Sequence, residues 1–392
     1  MRLQFPDNFF WGTSTAAAQI ETASDHNWRG FKAKDGHVFE RTADHELRRA
    51  EDADIIAQFG SVYRCGVDWA RLQTSPYADF DAKVVREYTN FFIDLNNRGV
   101  RIMFVIHHFM HPIWLDKTDA WLNEKNIPVF MDYAKKCVHH FQDYVFNWNT
   151  FNEPNVFCLN AYMLGLFPPQ KKNYFKATKA LRIMAKAHNE LYDYIKSATP
   201  HKPIGISLNT AYFEGLNLLG KIAAKLIDRW FVYQTADLFK KVDYLGISYY
   251  AHIIFSPHAI TEIDHPGRLA SMGYAHDDMW AYRPDGLRYN IQRLYDKYQK
   301  PVVITENGVC ADDPEKRIQC LQDYLALLHG LIADGVPIIG YIHWSTFDNF
   351  EWNIGPTYRF GLAAVDLETR DRTITKAGHF YSDICATNSI EI

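Results

Sequence analysis

What most constrains the fold of this chain is a recurrence. A short apolar run followed by a stretch with helical spacing repeats eight times along 392 residues. The runs occupy 9–16, 62–68, 100–106, 145–150, 203–208, 244–248, 302–305 and 338–343. A short apolar run followed each time by an amphipathic stretch reads as a series of βα units. Between them, Val84, Val85, Tyr88, Phe91, Phe92 and Leu95 recur at helical intervals with charges on the opposite face. Residues 44–59, 129–141, 177–198 and 315–333 repeat that period. Eight β-then-α units predict an α/β fold, a single (β/α)8 TIM barrel over residues 1–392. An open doubly wound sheet is the alternative. It would place a Gly-x-Gly-x-x-Gly phosphate turn after its first strand, and Gly12-Thr13-Ser14-Thr15 lacks that spacing.

The length exceeds the roughly 150 residues of an average domain, but α/β barrels routinely run longer as one unit. No low-complexity tract or Pro/Gly-rich linker divides the chain. A net charge of −4 offers no basic excess for nucleic acid. No run approaches the roughly 20 apolar residues of a membrane span. The first ten residues lack an apolar run before a small-residue cleavage site, and no Asn-x-Ser/Thr acceptor occurs, so a cytoplasmic protein is expected. Six cysteines without a Cys-x-x-Cys pair suggest reduced thiols rather than a disulfide framework. Aromatic residues reach 15 %, a surplus that carbohydrate sites can use.

A barrel concentrates chemistry at the C-terminal ends of its strands. Read in order, those ends carry Gln19, Arg64 (just inside its strand), His107-His108, Asn152-Glu153, Asn209, Tyr250, Glu306-Asn307 and Trp344. A lone Glu after a strand is usually a carboxylate in the first turn of a helix. Two, each beside an Asn and on different strands, are the equipment of glycoside hydrolysis. One must hold a proton for the leaving oxygen while the other is ionised to attack or to activate water. An Arg64 that reached Glu306 would favour its carboxylate, and Phe151, Val156 and Phe157 are apolar neighbours that would keep Glu153 protonated. His107, His108 and His111 lack a carboxylate or Cys at ligand spacing, so neither a metal nor a cofactor is expected.

Thr150-Phe151-Asn152-Glu153-Pro154 and Ile304-Thr305-Glu306-Asn307-Gly308 resemble the two signature segments of glycoside hydrolase family 1, the β-glucosidase family. The opening segment from Phe10 to Glu21, the segment from Trp344 to Trp352 and Arg359-Phe360-Gly361-Leu362 are similar to further family segments, in family order. The resemblance implies a retaining mechanism, with Glu306 as nucleophile and Glu153 as acid and then base. It implies that Arg64, Asn152 and Tyr250 support Glu306. Gln19, His108, Asn152, Glu351 and Trp352 match positions that bond the first sugar, and Trp344 its aromatic platform, with Phe360 added on the aromatic side. The implied partner is a small β-glycoside or oligosaccharide. Glu351 would repel a 6-phosphate, and the presence of Glu153 favours O-glycoside over thioglycoside cleavage.

The chain departs from the family pattern in places. It is shorter than most members, Ser248 stands where many carry Asn, and Thr22 replaces a usual Gly. The stretches from Arg64 to Trp69 and from Ala281 to Leu287 look closer to a branch holding a plant galactolipid galactosyltransferase. That opens a transglycosylating alternative beside hydrolysis, and a sugar-binding protein on an inactive scaffold is a third reading. Gluco- or galacto-preference and oligomeric state are not legible in the sequence.

Overall fold

The structure is a computed structural model and describes residues 1–255 and 266–392. Its centre is a closed barrel of eight strands: β1 (Phe10–Ser14), β2 (Val62–Cys65), β3 (Arg101–His107), β4 (Val145–Asn152), β5 (Ile204–Gly215), β6 (Tyr244–Phe255), β7 (Val302–Asn307) and β8 (Ile338–Trp344). Every neighbouring pair is parallel, and β1 closes the ring by pairing with both β2 and β8. Each run read as a strand in the sequence is one, and the barrel, not the open sheet, is what they form.

The barrel has no free edge, so its backbone groups are paired all round. Inside, Phe10, Val62, Met103, Tyr244, Val303 and Ile342 form a cluster separate from the larger core outside the strands. The rings of Phe10 and Tyr244 fit because Gly340 and Gly205 face them. A Cβ at Gly340 would lie 2.2 Å from Phe10, and one at Gly205 2.4 Å from Tyr244.

The flanking helices follow the periods in the sequence. Helix Ala82–Asn97 starts where Asp81 accepts from the amides of Lys83 and Val84, and it buries Tyr88, Phe91, Phe92 and Leu95. The 44–59 stretch is broken: Asp44 takes a left-handed conformation, a short 3-10 turn follows, and the helix proper runs only Arg49–Ile56. Two strands run further than their apolar runs predict. β5 and β6 stay paired to Gly215 and Phe255, well past residues 208 and 248. Their polar, mixed tails read as loops, yet they lengthen one side of the barrel beyond the mouth. The last strand, Ser389–Glu391, pairs antiparallel with Arg2–Gln4 away from the barrel. All six cysteines are free, and five are buried.

Candidate active site

Arg64 is the hub. It lies in β2 with no exposed surface, and its guanidinium makes four hydrogen bonds. Nη1 donates to Ser14 Oγ at 3.0 Å and to Glu306 Oε1 at 2.6 Å. Nη2 donates to Asn152 Oδ1 at 2.5 Å and to Ser207 Oγ at 2.7 Å. A planar fork of donors thus ties β1, β2, β4, β5 and β7 together at the mouth. The other oxygen of Glu306, Oε2, accepts from the Tyr250 hydroxyl at 2.8 Å. Asn152 in turn donates through Nδ2 to Nε2 of His108 at 2.8 Å.

Glu153 follows β4 with φ 38°, a left-handed conformation that costs a non-glycine residue and gathers at functional sites. Its backbone N–H donates to Ser207 O, and Pro154 opens the next helix, so the turn is held on both sides. Oε1 accepts from Asn209 Nδ2 at 2.9 Å. Phe151 and Phe157 are fully buried beside it in sequence.

The two carboxyl groups meet different surroundings. Burial pushes Glu153 up to about 8, the charge of Glu306 adds to that, and the bonds from Asn209 and Ser248 only partly oppose it. Burial raises Glu306 as well, but the Arg64 charge and the hydrogen bonds from Tyr250 and Arg64 pull it back. The expectation that Arg64 favours the Glu306 carboxylate holds for the direction of its influence, although burial outweighs it. Glu306, with a cation against it, ionises first; Glu153 keeps the proton. Tyr250 is driven well above its usual range, first by burial and then by the Glu306 charge, so it stays a donor. Burial and the Arg64 charge lower His108 well below the usual imidazole range, so it is neutral.

A second group lies at the same mouth, after β1 and β8. Gln19 Nε2 donates to Asn349 Oδ1 at 2.9 Å, to Phe350 O at 3.1 Å and to Glu351 Oε2 at 3.3 Å. Glu351 is pushed up to about 8 by burial and by the Glu306 charge, against hydrogen bonds from Trp344 and Gln19. Trp344 ends β8 with its ring 5.9 Å from that of His108, and its peptide with Ser345 is cis. Trp352 lies 5.9 Å from the same histidine, among Trp28, Phe109 and Phe167. Phe360 is 2 % exposed and packs against Tyr250 and Trp280. Beside these rings the acceptor Gln19 Oε1 and, with Nε2 accepting from Asn152, the donor Nδ1 of His108 are among the buried atoms without a partner in the described residues.

All the residues singled out in the sequence are therefore at one end of the barrel. His107 takes another course, accepting from Trp121 Nε1 at 3.2 Å, while His111 bonds Asp116 at 2.9 Å. Among the described residues no group of three or more His, Cys, Asp or Glu is placed to hold a metal. Sequence reasoning missed Ser14 and Ser207, which complete the Arg64 network. Ser207 is the lone hydroxyl in the apolar run 203–208, which was the available signal, whereas Ser14 stands between Thr13 and Thr15 with nothing local to mark it. It also left Asn209 without a role and did not reach Trp280, which no local pattern marks.

The family model for glycosyl hydrolase family 1 matches residues 1–218 and 230–390. The chain is 26 % identical over 447 aligned residues to beta-glucosidase A of Thermotoga maritima, across 99 % of each chain. It is 28 % identical over 383 residues to the chloroplastic galactolipid galactosyltransferase SFR2 of Arabidopsis thaliana, across 91 % of this chain and 59 % of that protein. The solved structure of beta-glucosidase from Thermotoga maritima in complex with deoxynojirimycin superposes with a TM-score of 0.90 at 26 % identity, covering 99 % of this chain and all of that one. A barrel with an acidic pair at its mouth, matched from one end to the other by one family, leaves one assignment: the chain belongs to glycosyl hydrolase family 1.

Proposed function

We propose that the protein is a retaining β-glycosidase acting on terminal β-glucosyl residues, with β-galactosyl and β-fucosyl residues as further substrates. The observation that carries this reading is the unequal pair: Glu306 gripped by Arg64 and Tyr250, Glu153 buried and raised to about 8. Unequal carboxyl groups are what double displacement requires. In the first step Glu306 attacks the anomeric carbon while Glu153 gives its proton to the leaving oxygen. The bond to the leaving group breaks as the glycosyl–Glu306 ester forms. In the second step Glu153, now ionised, takes a proton from water, which attacks the same carbon and frees Glu306.

The buried unpartnered atoms Gln19 Oε1 and His108 Nδ1 would bond sugar hydroxyls, with Asn152, Glu351 and Trp352 beside them. An analogue lacking such a hydroxyl would leave them unpaired, which gives selectivity. Trp344 would lie against the apolar face of the ring. Replacing Glu306 by Ala removes the nucleophile and is expected to abolish turnover of aryl β-glycosides. Azide should then restore product of inverted configuration, and a Glu306→Ala variant with undiminished turnover would reject the assignment.

A second reading keeps the same first step and hands the glycosyl group to a sugar or lipid-linked acceptor in place of water. What favours it is the similarity to the galactolipid galactosyltransferase from Arabidopsis thaliana. Product analysis with a β-galactolipid separates the two: oligogalactolipid supports transfer, and free monosaccharide alone supports hydrolysis.

A further inference from the structure

We propose that helix Leu218–Asp228 docks the protein on a lipid surface with anionic headgroups, at the rim of the barrel mouth. This helix is built inside out. Leu218, Leu219, Ile222 and Leu226 are 74, 72, 49 and 64 % exposed, whereas Gly220 and Ala224 are buried. Spacings of three and four residues put the four apolar side chains on one stripe, and that stripe faces solvent. In helix Ala82–Asn97 the apolar stripe faces the core instead. Leu216, 43 % exposed, extends the stripe toward the barrel. Soluble monomers rarely expose a contiguous apolar patch of this kind unless it binds something.

Charge identifies the occupant. Lys221, Lys225 and Arg229 are exposed along one flank of the stripe. The helix's only acid, Asp228, is already held by Arg293 through two bonds of 2.6 Å. An apolar stripe with a cationic flank is the pattern of a helix lying in a bilayer interface. A second copy meeting this face across a two-fold axis would bring the same lysines together, and their repulsion disfavours it. No helix among the described residues is long and apolar enough to cross a membrane, so the contact would be peripheral.

Position gives the patch a use. β5 carries Asn209, which bonds Glu153, and continues to Gly215 before the helix begins. At about 3.3 Å per residue the strand carries the start of the helix roughly 20 Å from Asn209, and the chain then returns until Phe231 O and Asn209 O both accept from the Asn155 amide, at 2.9 and 2.8 Å. The helix packs back on the strand ends, with Gly220 beside Phe255 O and Gly215 against the backbone of Gly220 and Lys221. Exposed Phe175 stands nearby, since the ring of its neighbour Tyr174 lies 6.3 Å from that of Trp230, two residues past the end of the helix. The family match stops at residue 218 and resumes at 230, so this helix is a departure of this chain from the family pattern. Docked through it, the mouth would face lipid-linked glycosides. That consequence rests on the glycosidase reading, but the docking does not.

The test is sedimentation of the full chain with vesicles of pure phosphatidylcholine and of an equal mixture with phosphatidylglycerol. Binding to the mixed vesicles is expected, and much less to the neutral ones. Leu219→Ser with Leu226→Ser should weaken partitioning on the order of a hundredfold, from the apolar area lost. Lys221→Glu with Lys225→Glu should weaken it by at least roughly tenfold on mixed vesicles. Both variants should keep the wild-type melting temperature and turnover of a soluble aryl β-glycoside. Wild-type protein that stays in the supernatant, or variants that partition as it does, would overturn the docking. So would a concentration-dependent dimer that the leucine substitutions abolish. Vesicle binding without any glycoside turnover would instead count against the glycosidase reading alone.

Discussion

At the scale of single residues, the site depends on a proton kept where water would remove it. Burial and the neighbouring Glu306 charge hold Glu153 at about 8, so it remains an acid at neutral pH and loses that ability as pH rises through this value. Glu153→Gln should therefore lower kcat by about 10²–10⁴ for substrates with poor leaving groups, and less for aryl glycosides that need no acid. The alkaline limb of kcat/KM near pH 8 should vanish in the same variant. Asn209 offers a finer probe, since its amide bonds the ionised form and pulls Glu153 down. Asn209→Ala is expected to move the alkaline limb to higher pH, and an unmoved or lowered limb would contradict that account.

Among the elements, the barrel strands were visible in the sequence because burial on both faces makes most of each a short apolar run, interrupted at residues such as Arg64, Asn147 and Asn149. The tails of β5 and β6 were not, because 209–215 and 249–255 mix polar and apolar residues and owe their conformation to pairing with each other. Similar non-local support holds the C-terminal segment. Arg372, in the short strand Arg372–Ile374, bonds both oxygens of Asp52 at 2.7 and 3.0 Å, with neither side chain exposed. Burial alone would raise Asp52, but its bonds to His45 and Arg372 outweigh that and hold it below the usual carboxylate range. Arg372→Ala should cost about 3–5 kcal/mol in urea unfolding by stranding a buried charge, and Asp52→Ala in the same chain should recover part of the loss. A double-variant loss equal to the sum of the two single-variant losses would show that the pair is not coupled.

For the whole molecule, the buried acids of the mouth set a pH dependence of stability. Glu153 and Glu351 are both raised to about 8 from 4.5, so the folded chain holds two protons that the unfolded chain releases earlier. Their contribution is complete below about pH 4.5 and is lost as pH rises toward 8. Glu153→Gln with Glu351→Gln should flatten the decline of the urea midpoint between pH 5 and 8, whereas an unchanged slope would place the origin elsewhere. The sequence by itself determined the eight units, the strand ends and the acidic pair, because strand burial and signature segments are local properties of the chain. Only the tertiary structure decided that Arg64 reaches Glu306, Asn152 and two serines at once, that Asn209 serves Glu153, and that helix Leu218–Asp228 turns its leucines outward. Those outcomes depend on which strands lie side by side once the ring closes. An apolar stripe at helical spacing looks the same in sequence whether it faces a core or solvent.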